Sequence, residues 1–306
     1  MMSSVARVGG NSQTLRVPRR VSALVHAGRR RVSGLIRACH PEPAAAVTAV
    51  AVLLAAAAGH GPARMVGVGA VVLASQLAVG WSNDWLDADR DAVVGRRDKP
   101  VPAGLIGRRT VGVAALLAAL GTPLLAVPLG PVVVVGMSAA LVSALLYNWP
   151  LKSTALSVLP YGFSFAALPA CVVLALPGVP APPVWLPVAG GLLGAGAHFA
   201  NALPDLDDDA RTGIRGLPHR LGPARCTLAA GGLLLAATAV LAFGPAGPPS
   251  WAGWAAVAAA SVILPLGWYL GRPRAGRTGR PVAAFRAVMV VALLDVVLLV
   301  LGGRLV

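Results

Sequence analysis

Residues 63–91 read ARMVGVGAVVLASQLAVGWSNDWLDADRD. From Ala63 to Leu86 the stretch is nearly all apolar, with Arg64 at its start and Asp84 near its end. About 20 such residues are needed for a helix to cross roughly 30 Å of hydrocarbon. Asp87, Asp89 and Asp91 then follow within five positions. The stretch therefore reads as a membrane helix with an acid-rich end. A soluble helix would spread its acids along one face.

The whole chain fits that reading. Its 306 residues are 57% hydrophobic and 12% charged, with a mean hydropathy of +0.74. Soluble domains carry about 25% charged residues, so the chain falls in the membrane class. Nine apolar runs, separated by Pro, Gly or charge, lie near 44–59, 63–86, 109–128, 131–148, 154–176, 183–204, 222–243, 250–270 and 281–302. They predict an all-α, polytopic membrane bundle of about nine transmembrane helices. Cys39, Cys171 and Cys226 have no CxxC spacing, so neither a zinc site nor a disulfide framework is implied. The net charge of +15 does not point to nucleic acid, because the bases flank apolar spans.

Those bases alternate by loop. Residues 1–40 hold eight Arg and no acid. Arg90, Arg96, Arg97, Lys99 and Arg108 follow the second span, Lys152 the fourth, Arg211, Arg215, Arg220 and Arg225 the sixth, and Arg272, Arg274, Arg277 and Arg280 the eighth. The intervening loops 129–130, 177–182 and 244–249 have no Lys or Arg. The positive-inside rule then places the N-terminus in the cytoplasm and the C-terminus outside, in a multi-pass protein of the cytoplasmic (inner) membrane. Residues 1–40 form a basic cytoplasmic segment, read either as an interfacial helix near 19–37 or as an unstructured tail. Residues 41–306 form the transmembrane domain.

Nine of the eleven acids fall in two places: Asp84, Asp87, Asp89, Asp91 and Asp98, then Asp205, Asp207, Asp208 and Asp209. Carboxylates beside hydrocarbon are costly, so such clusters pair with cations or line a polar cavity. Asn83, Asp87 and Asp91 share one stripe of a helix, and Asn201, Asp205 and Asp209 repeat the spacing. Gly95, Arg97 and Pro100 after the first cluster have counterparts in Gly213, Arg215 and Pro218, all at one offset of 118 residues. This predicts a parallel internal repeat. Each stripe is a set of hard oxygen ligands suited to Mg²⁺. Two facing stripes would hold Mg²⁺ and a diphosphate, and the apolar spans would house its hydrocarbon tail. The plainer alternative is that the acids are solvated and balance nearby Arg. Two matched clusters holding nearly all the acid argue against it.

At these residues the chain resembles the UbiA superfamily of intramembrane prenyltransferases. Asn83-Asp84-Trp85-Leu86-Asp87-Ala88-Asp89-Arg90-Asp91 matches its NDxxDxxxD motif. Asp205-Leu206-Asp207-Asp208-Asp209, trailed by Gly213 and Arg215, looks like its second motif. Tyr147 and Lys152 are similar to its Tyr and Lys between the fourth and fifth helices. The resemblance implies a bundle around a central cavity and transfer of an isoprenoid chain from a prenyl diphosphate to a small-molecule acceptor, aromatic in the first instance. It implies Asn83, Asp87, Asp91, Asn201, Asp205 and Asp209 as metal ligands, with Asp87, Asp91, Asp205 and Asp209 as the catalytic carboxylates. Lys99, Lys152, Arg215 and Tyr147 would contact the diphosphate. Where many members read Arg-Pro after the first motif, this chain has Asp98-Lys99-Pro100. Two other functions stay open: cyclisation of the prenyl chain without acceptor, and a non-enzymatic cation transporter or lipid-binding membrane protein. His198, one turn before Asn201, is read as a buried hydrogen-bonded histidine, with an acceptor base as the rival role.

The loop charges generate the first prediction. A reporter active only in the cytoplasm, fused after Val306, should be silent. A bright fusion would overturn the predicted topology.

Overall fold

The computed structural model describes residues 28, 31–96, 99–178, 181–204, 206–271 and 282–301. Among these residues the chain is helical, without strands. Its helices are α1 (Arg31–Ala38), α2 (Pro41–Ala57), α3 (Pro62–Val93), α4 (Arg108–Ala126), α5 (Pro131–Asn148), α6 (Val158–Leu174), α7 (Trp185–Ala202), the short α8 (Leu206–Arg211), α9 (Leu217–Phe243), α10 (Trp251–Leu270) and α11 (Val282–Leu301). Among the described residues a helix thus lies at each of the nine predicted positions. By length and composition, five of the described helices can cross a membrane, or up to six if the bent pair α1–α2 counts as one span. That count does not confirm the nine predicted crossings. At 17 residues α6 is short, and Gly, His198 and Asn201 dilute the hydropathy of α7.

Local chemistry sets the helix ends. Pro41, Pro62 and Pro131 each occupy the first helical turn, where no intrahelical N–H is lost. The Ser250 side chain caps α10 by accepting from the Gly253 N–H at 3.1 Å. Gly222 (φ 76°, ψ 167°), followed by Pro223, breaks α9, at the point where the predicted span begins. At 32 residues, α3 is about 48 Å long at 1.5 Å per residue. That exceeds the hydrocarbon thickness, so its acid-bearing turns project beyond it.

The helices pack as two similar sets. In the first, α2 packs on α3, α3 on α4 and α4 on α5; in the second, α6 packs on α7, α7 on α9 and α9 on α10. The α5–α6 contact joins the sets, and α11 closes the ring against α9, α10, α2 and α7. There Asp295, fully buried, accepts from the Thr238 hydroxyl at 2.5 Å. Ahead of α2, α1 meets it at a 64° bend. It is held by the Trp81 indole N–H donating to the Leu35 carbonyl (2.9 Å) and by Ala38, Ile106 and Val111. The described part of the predicted interfacial helix is therefore docked; the rest of residues 1–40 lies outside the described residues.

Small residues allow the closest approach. A Cβ on Gly190 would overlap the Phe165 carbonyl oxygen, and one on Gly194 would overlap the Tyr161 carbonyl and the Phe165 side chain. These glycines, four apart, let α6 and α7 meet backbone to backbone, as membrane helices commonly do. Gly194→Leu should lower stability by about 1–3 kcal/mol through overpacking. Gly232→Ala faces open space and should be neutral or raise stability by roughly 0.5 kcal/mol. Thermal melts in detergent decide; equal melting would refute the close contact.

Candidate active site

The first motif lies on continuous helix. Asn83, Asp87 and Asp91 all fall within α3, so the predicted stripe exists. The Asn83 amide donates to Asp87 Oδ2 at 3.2 Å. Asp87 also accepts from Lys152 Nζ at 2.6 Å on both Oδ1 and Oδ2, and Arg90 lies 3.1 Å from Oδ1. Asp91 is buried, with Lys99, Asp87, Arg96 and Asp84 as its electrostatic neighbours. Off the stripe, Asp89 is exposed and pairs with Arg108 at 2.8 Å. The Arg108 guanidinium also sits 5.7 Å from the centre of the Trp85 ring.

Asp84 has a larger part than its place in the sequence indicates. It is 2% exposed, and its Oδ1 is 2.7 Å from Lys99 Nζ and 3.1 Å from His40 Nε2. Lys99 Nζ is also 3.0 Å from His40 Nε2. His40 stands at the α1–α2 bend in a left-handed conformation (φ 54°). Sequence reading missed His40. A non-glycine residue beside the helix-starting Pro41 was the only local signal, and its partner is 44 residues away.

The second motif departs from the stripe. Asn201 lies in the last turn of α7, and Asp209 is on α8 after a turn, so the two do not share one helix. Asp205 lies outside the described residues. The Tyr161 side chain hydrogen-bonds Asn201. His219 Nε2 lies 3.8 Å from Asp209 Oδ2. Arg215 is exposed in the loop before α9.

Lys152 connects the halves. It sits in a short 3-10 turn, Leu151–Ser153, between α5 and α6, and interacts electrostatically with both Asp87 and Asp209. Tyr147 likewise feels both carboxylates. Its ring meets Tyr161 edge-on at 4.9 Å and His198 at 5.6 Å. As anticipated, His198 is buried and hydrogen-bonded, with Nε2 3.1 Å from Ser157 Oγ.

Among the described residues no three His, Cys, Asp or Glu converge as a ready metal cluster. Asp87 is engaged by Lys152 and Arg90, and Asp84 by Lys99 and His40. The donors still fit a hard cation: they are carboxylate and amide oxygens, and buried Asp84 Oδ2 has no hydrogen-bond partner.

A family model described as the UbiA prenyltransferase family matches residues 44–293. Over 168 residues the chain is 33% identical to a digeranylgeranylglyceryl phosphate synthase of Methanopyrus kandleri. That match takes in 51% of this chain and 56% of that protein's length. The fold is similar to a UbiA homolog from Archaeoglobus fulgidus bound to GPP and Mg²⁺, with a TM-score of 0.65 at 14% identity over 87% of this chain and 98% of that one. It is also similar to the apo structure of a UbiA homolog from Aeropyrum pernix K1, with a TM-score of 0.63 at 19% identity over 81% and 94% of the two chains. At such identities the structural likeness is one of fold.

The Lys152–Asp87 pair can be tested directly. Burial pushes the Lys152 ammonium below the ordinary lysine value, and Asp87 pulls it back up. Asp87→Asn removes that pull, so Lys152 should titrate lower still. Competitive amine labelling against pH, read by mass spectrometry, checks this. An unchanged titration would mean that the pair does not form.

Proposed function

This chain belongs to the UbiA prenyltransferase family, and from that premise we propose that it is a Mg²⁺-dependent prenyltransferase acting on a prenyl diphosphate and a small-molecule acceptor. The observation that carries the proposal is the carboxylate stripe on α3 with Lys152 and Arg90 on Asp87, at one end of a multi-pass apolar bundle. An anionic head with a long hydrocarbon tail satisfies both parts. The positive-inside pattern supports a cytoplasmic site, with the N-terminus inside and the C-terminus outside.

Asn83, Asp87, Asp91, Asn201, Asp205 and Asp209 would hold Mg²⁺. When bound, the ion would neutralise charge on the diphosphate leaving group. The chain's own residues do the rest. Lys152 and Arg215 bring ammonium and guanidinium groups to the phosphate oxygens, where negative charge grows as the allylic C–O bond breaks, while Lys99, bound to Asp84, steadies the first motif beside them. Tyr147 and Tyr161 present ring faces that favour the positive charge left on the prenyl chain. The acceptor then bonds to that carbon and loses a proton, and pyrophosphate departs.

The acceptor is the finer question. The resemblance by motif implies an aromatic ring. The 33% identical relative is a digeranylgeranylglyceryl phosphate synthase, which favours a glyceryl phosphate lipid, whose hydroxyl oxygen would attack. Cyclisation without acceptor begins with the same ionisation.

Purified protein should be incubated with geranylgeranyl diphosphate and Mg²⁺, with a glyceryl phosphate lipid, with an aromatic acceptor and with neither. Product with an acceptor supports transfer; a hydrocarbon product with neither supports cyclisation. Excess EDTA should abolish turnover. Asp87→Ala and Asp209→Ala should each lose on the order of 10²–10³ in kcat. Asp89→Ala, an exposed and Arg-paired site, should change it less than about threefold. Full activity in chelator, or in Asp87→Ala, would refute the proposal.

A further inference from the structure

Ser157 and His198 form a polar contact that the proposed chemistry leaves unused. Both are buried, at 0% and 2% exposure. Ser157 Oγ lies 3.1 Å from His198 Nε2 and accepts the Leu217 backbone N–H at 3.1 Å. One hydroxyl therefore joins three places: the residue before α6, the C-terminal part of α7 and the first residue of α9. Between the last two runs the whole segment after the second motif, including α8 and Arg215. The neighbouring residue confirms how tightly that segment is seated. A Cβ on Gly216 would overlap the Lys152 carbonyl oxygen and crowd Ser157 Oγ.

The other half of the molecule carries a counterpart. Lys99 and Leu217 are 118 residues apart, as are Cys39 and Ser157, and Gly80 and His198. In the first half the Cys39 backbone abuts Gly80, and Lys99 is bound to Asp84 of α3 and to His40 at the start of α2. Each half thus returns its segment after the motif to the start of its own first helix, and locks it there by a polar contact near the motif helix. The first lock is ionic and reaches the surface through His40, whose side chain is 40% exposed. In the second, both side chains are buried.

We propose that His198 and Ser157 are positioning residues: together they fix the segment that follows the second motif against the Lys152 turn, so that Arg215 and Lys152 are presented to one anion. The consequence for the anion rests on the diphosphate reading above; the fixing of the segment does not. The geometry supports a role through Ser157 over direct contact with substrate. His198 Nδ1 is buried without a hydrogen-bond partner, and the ring is packed against Tyr147, Tyr161 and Phe199. A buried polar pair of this kind is costly in an apolar bundle unless the contact is kept.

The test has a structural and a functional arm, run on the full chain in detergent. Ser157→Ala and His198→Leu should each speed hydrogen exchange of the 206–217 amides, Leu217 above all, by roughly tenfold. Each should weaken binding of Mg²⁺ with inorganic pyrophosphate, and raise KM for the prenyl diphosphate, by a similar factor. KM for the acceptor should stay unchanged. His198→Gln, which keeps a polar head, should recover part of the loss. The double variant should lose little more than either single one, because the pair acts as a unit. Ser157→Ala removes one oxygen and is the variant to rely on if His198→Leu fails gel filtration. Unchanged exchange over 206–217 would overturn the proposal. Faster exchange with wild-type pyrophosphate binding would overturn its functional half. If the wild type neither binds pyrophosphate nor turns over, the proposed function falls, while hydrogen exchange still decides whether the contact holds the segment.

Discussion

The Asp87–Lys152 pair, with both carboxylate oxygens 2.6 Å from one ammonium, is the contact on which the polar end of the bundle depends. An ionised carboxylate at the edge of hydrocarbon is tolerated only when a cation and hydrogen bonds replace its water. Asp87 and Lys152 keep 14% and 10% side-chain exposure, so both have given up most of theirs. Removing Asp87 leaves the Lys152 ammonium largely buried without its hydrogen-bonded carboxylate, at a cost of about 3–5 kcal/mol. Asp87 belongs to α3, and Lys152 to the turn joining the two helical sets. The ion pair therefore fastens the first motif to the seam of the molecule.

The rest of the bundle serves this arrangement by being almost wholly apolar and closely packed. Glycines on α7 bring α6 within backbone distance, which draws Tyr161 towards Asn201 and His198. Small residues thus do at mid-bundle what charge does at its end: they set how near the two motifs come. The buried Asp295–Thr238 hydrogen bond is a polar contact inside the apolar region. It supplies one polar contact across the α9–α11 interface, where hydrophobic burial cannot discriminate between protein and lipid.

The sequence made the helices legible because hydrocarbon demands long apolar runs, and the carboxylates legible because acids are so scarce that their clustering stands out. Asn83, Asp87 and Asp91 followed from periodicity, and α3 carries them as one stripe. The same periodicity failed at Asn201 and Asp209. A turn follows Ala202, and spacing alone does not reveal where a helix stops. The Asp89–Arg108 pair was half legible, since an off-stripe acid beside Arg-rich loops finds a base. The bend at His40, the burial of Asp84 and the Ser157–His198 contact were not legible. Each joins residues more than 40 positions apart, and a contact of that kind is a property of packing, which no local pattern records. Lys152 is intermediate. A lone base after the fourth span was visible, but its partner was identifiable only once α3 and the α5–α6 turn were side by side.

The two lysines brought forward as diphosphate contacts now separate on physical grounds. An ammonium has three N–H donors. Lys99 directs its group at two different residues, Asp84 and His40, of which Asp84 is fully enclosed. Drawing Lys99 away would leave a buried carboxylate without its cation, which is the expensive way to break a pair. Lys152 spends its contacts on a single carboxylate, and Arg90 stands beside that carboxylate at 3.1 Å. If Lys152 turns towards a phosphate oxygen, Asp87 keeps a cation. Under the proposed function Lys152 is accordingly the group to follow an anion, and Lys99 the group to hold the first motif still. The substitution of Lys for the more usual Arg after the first motif fits that division. A compact ammonium sits between one carboxylate oxygen and one imidazole nitrogen, where a planar guanidinium fork would seek two oxygens in its own plane.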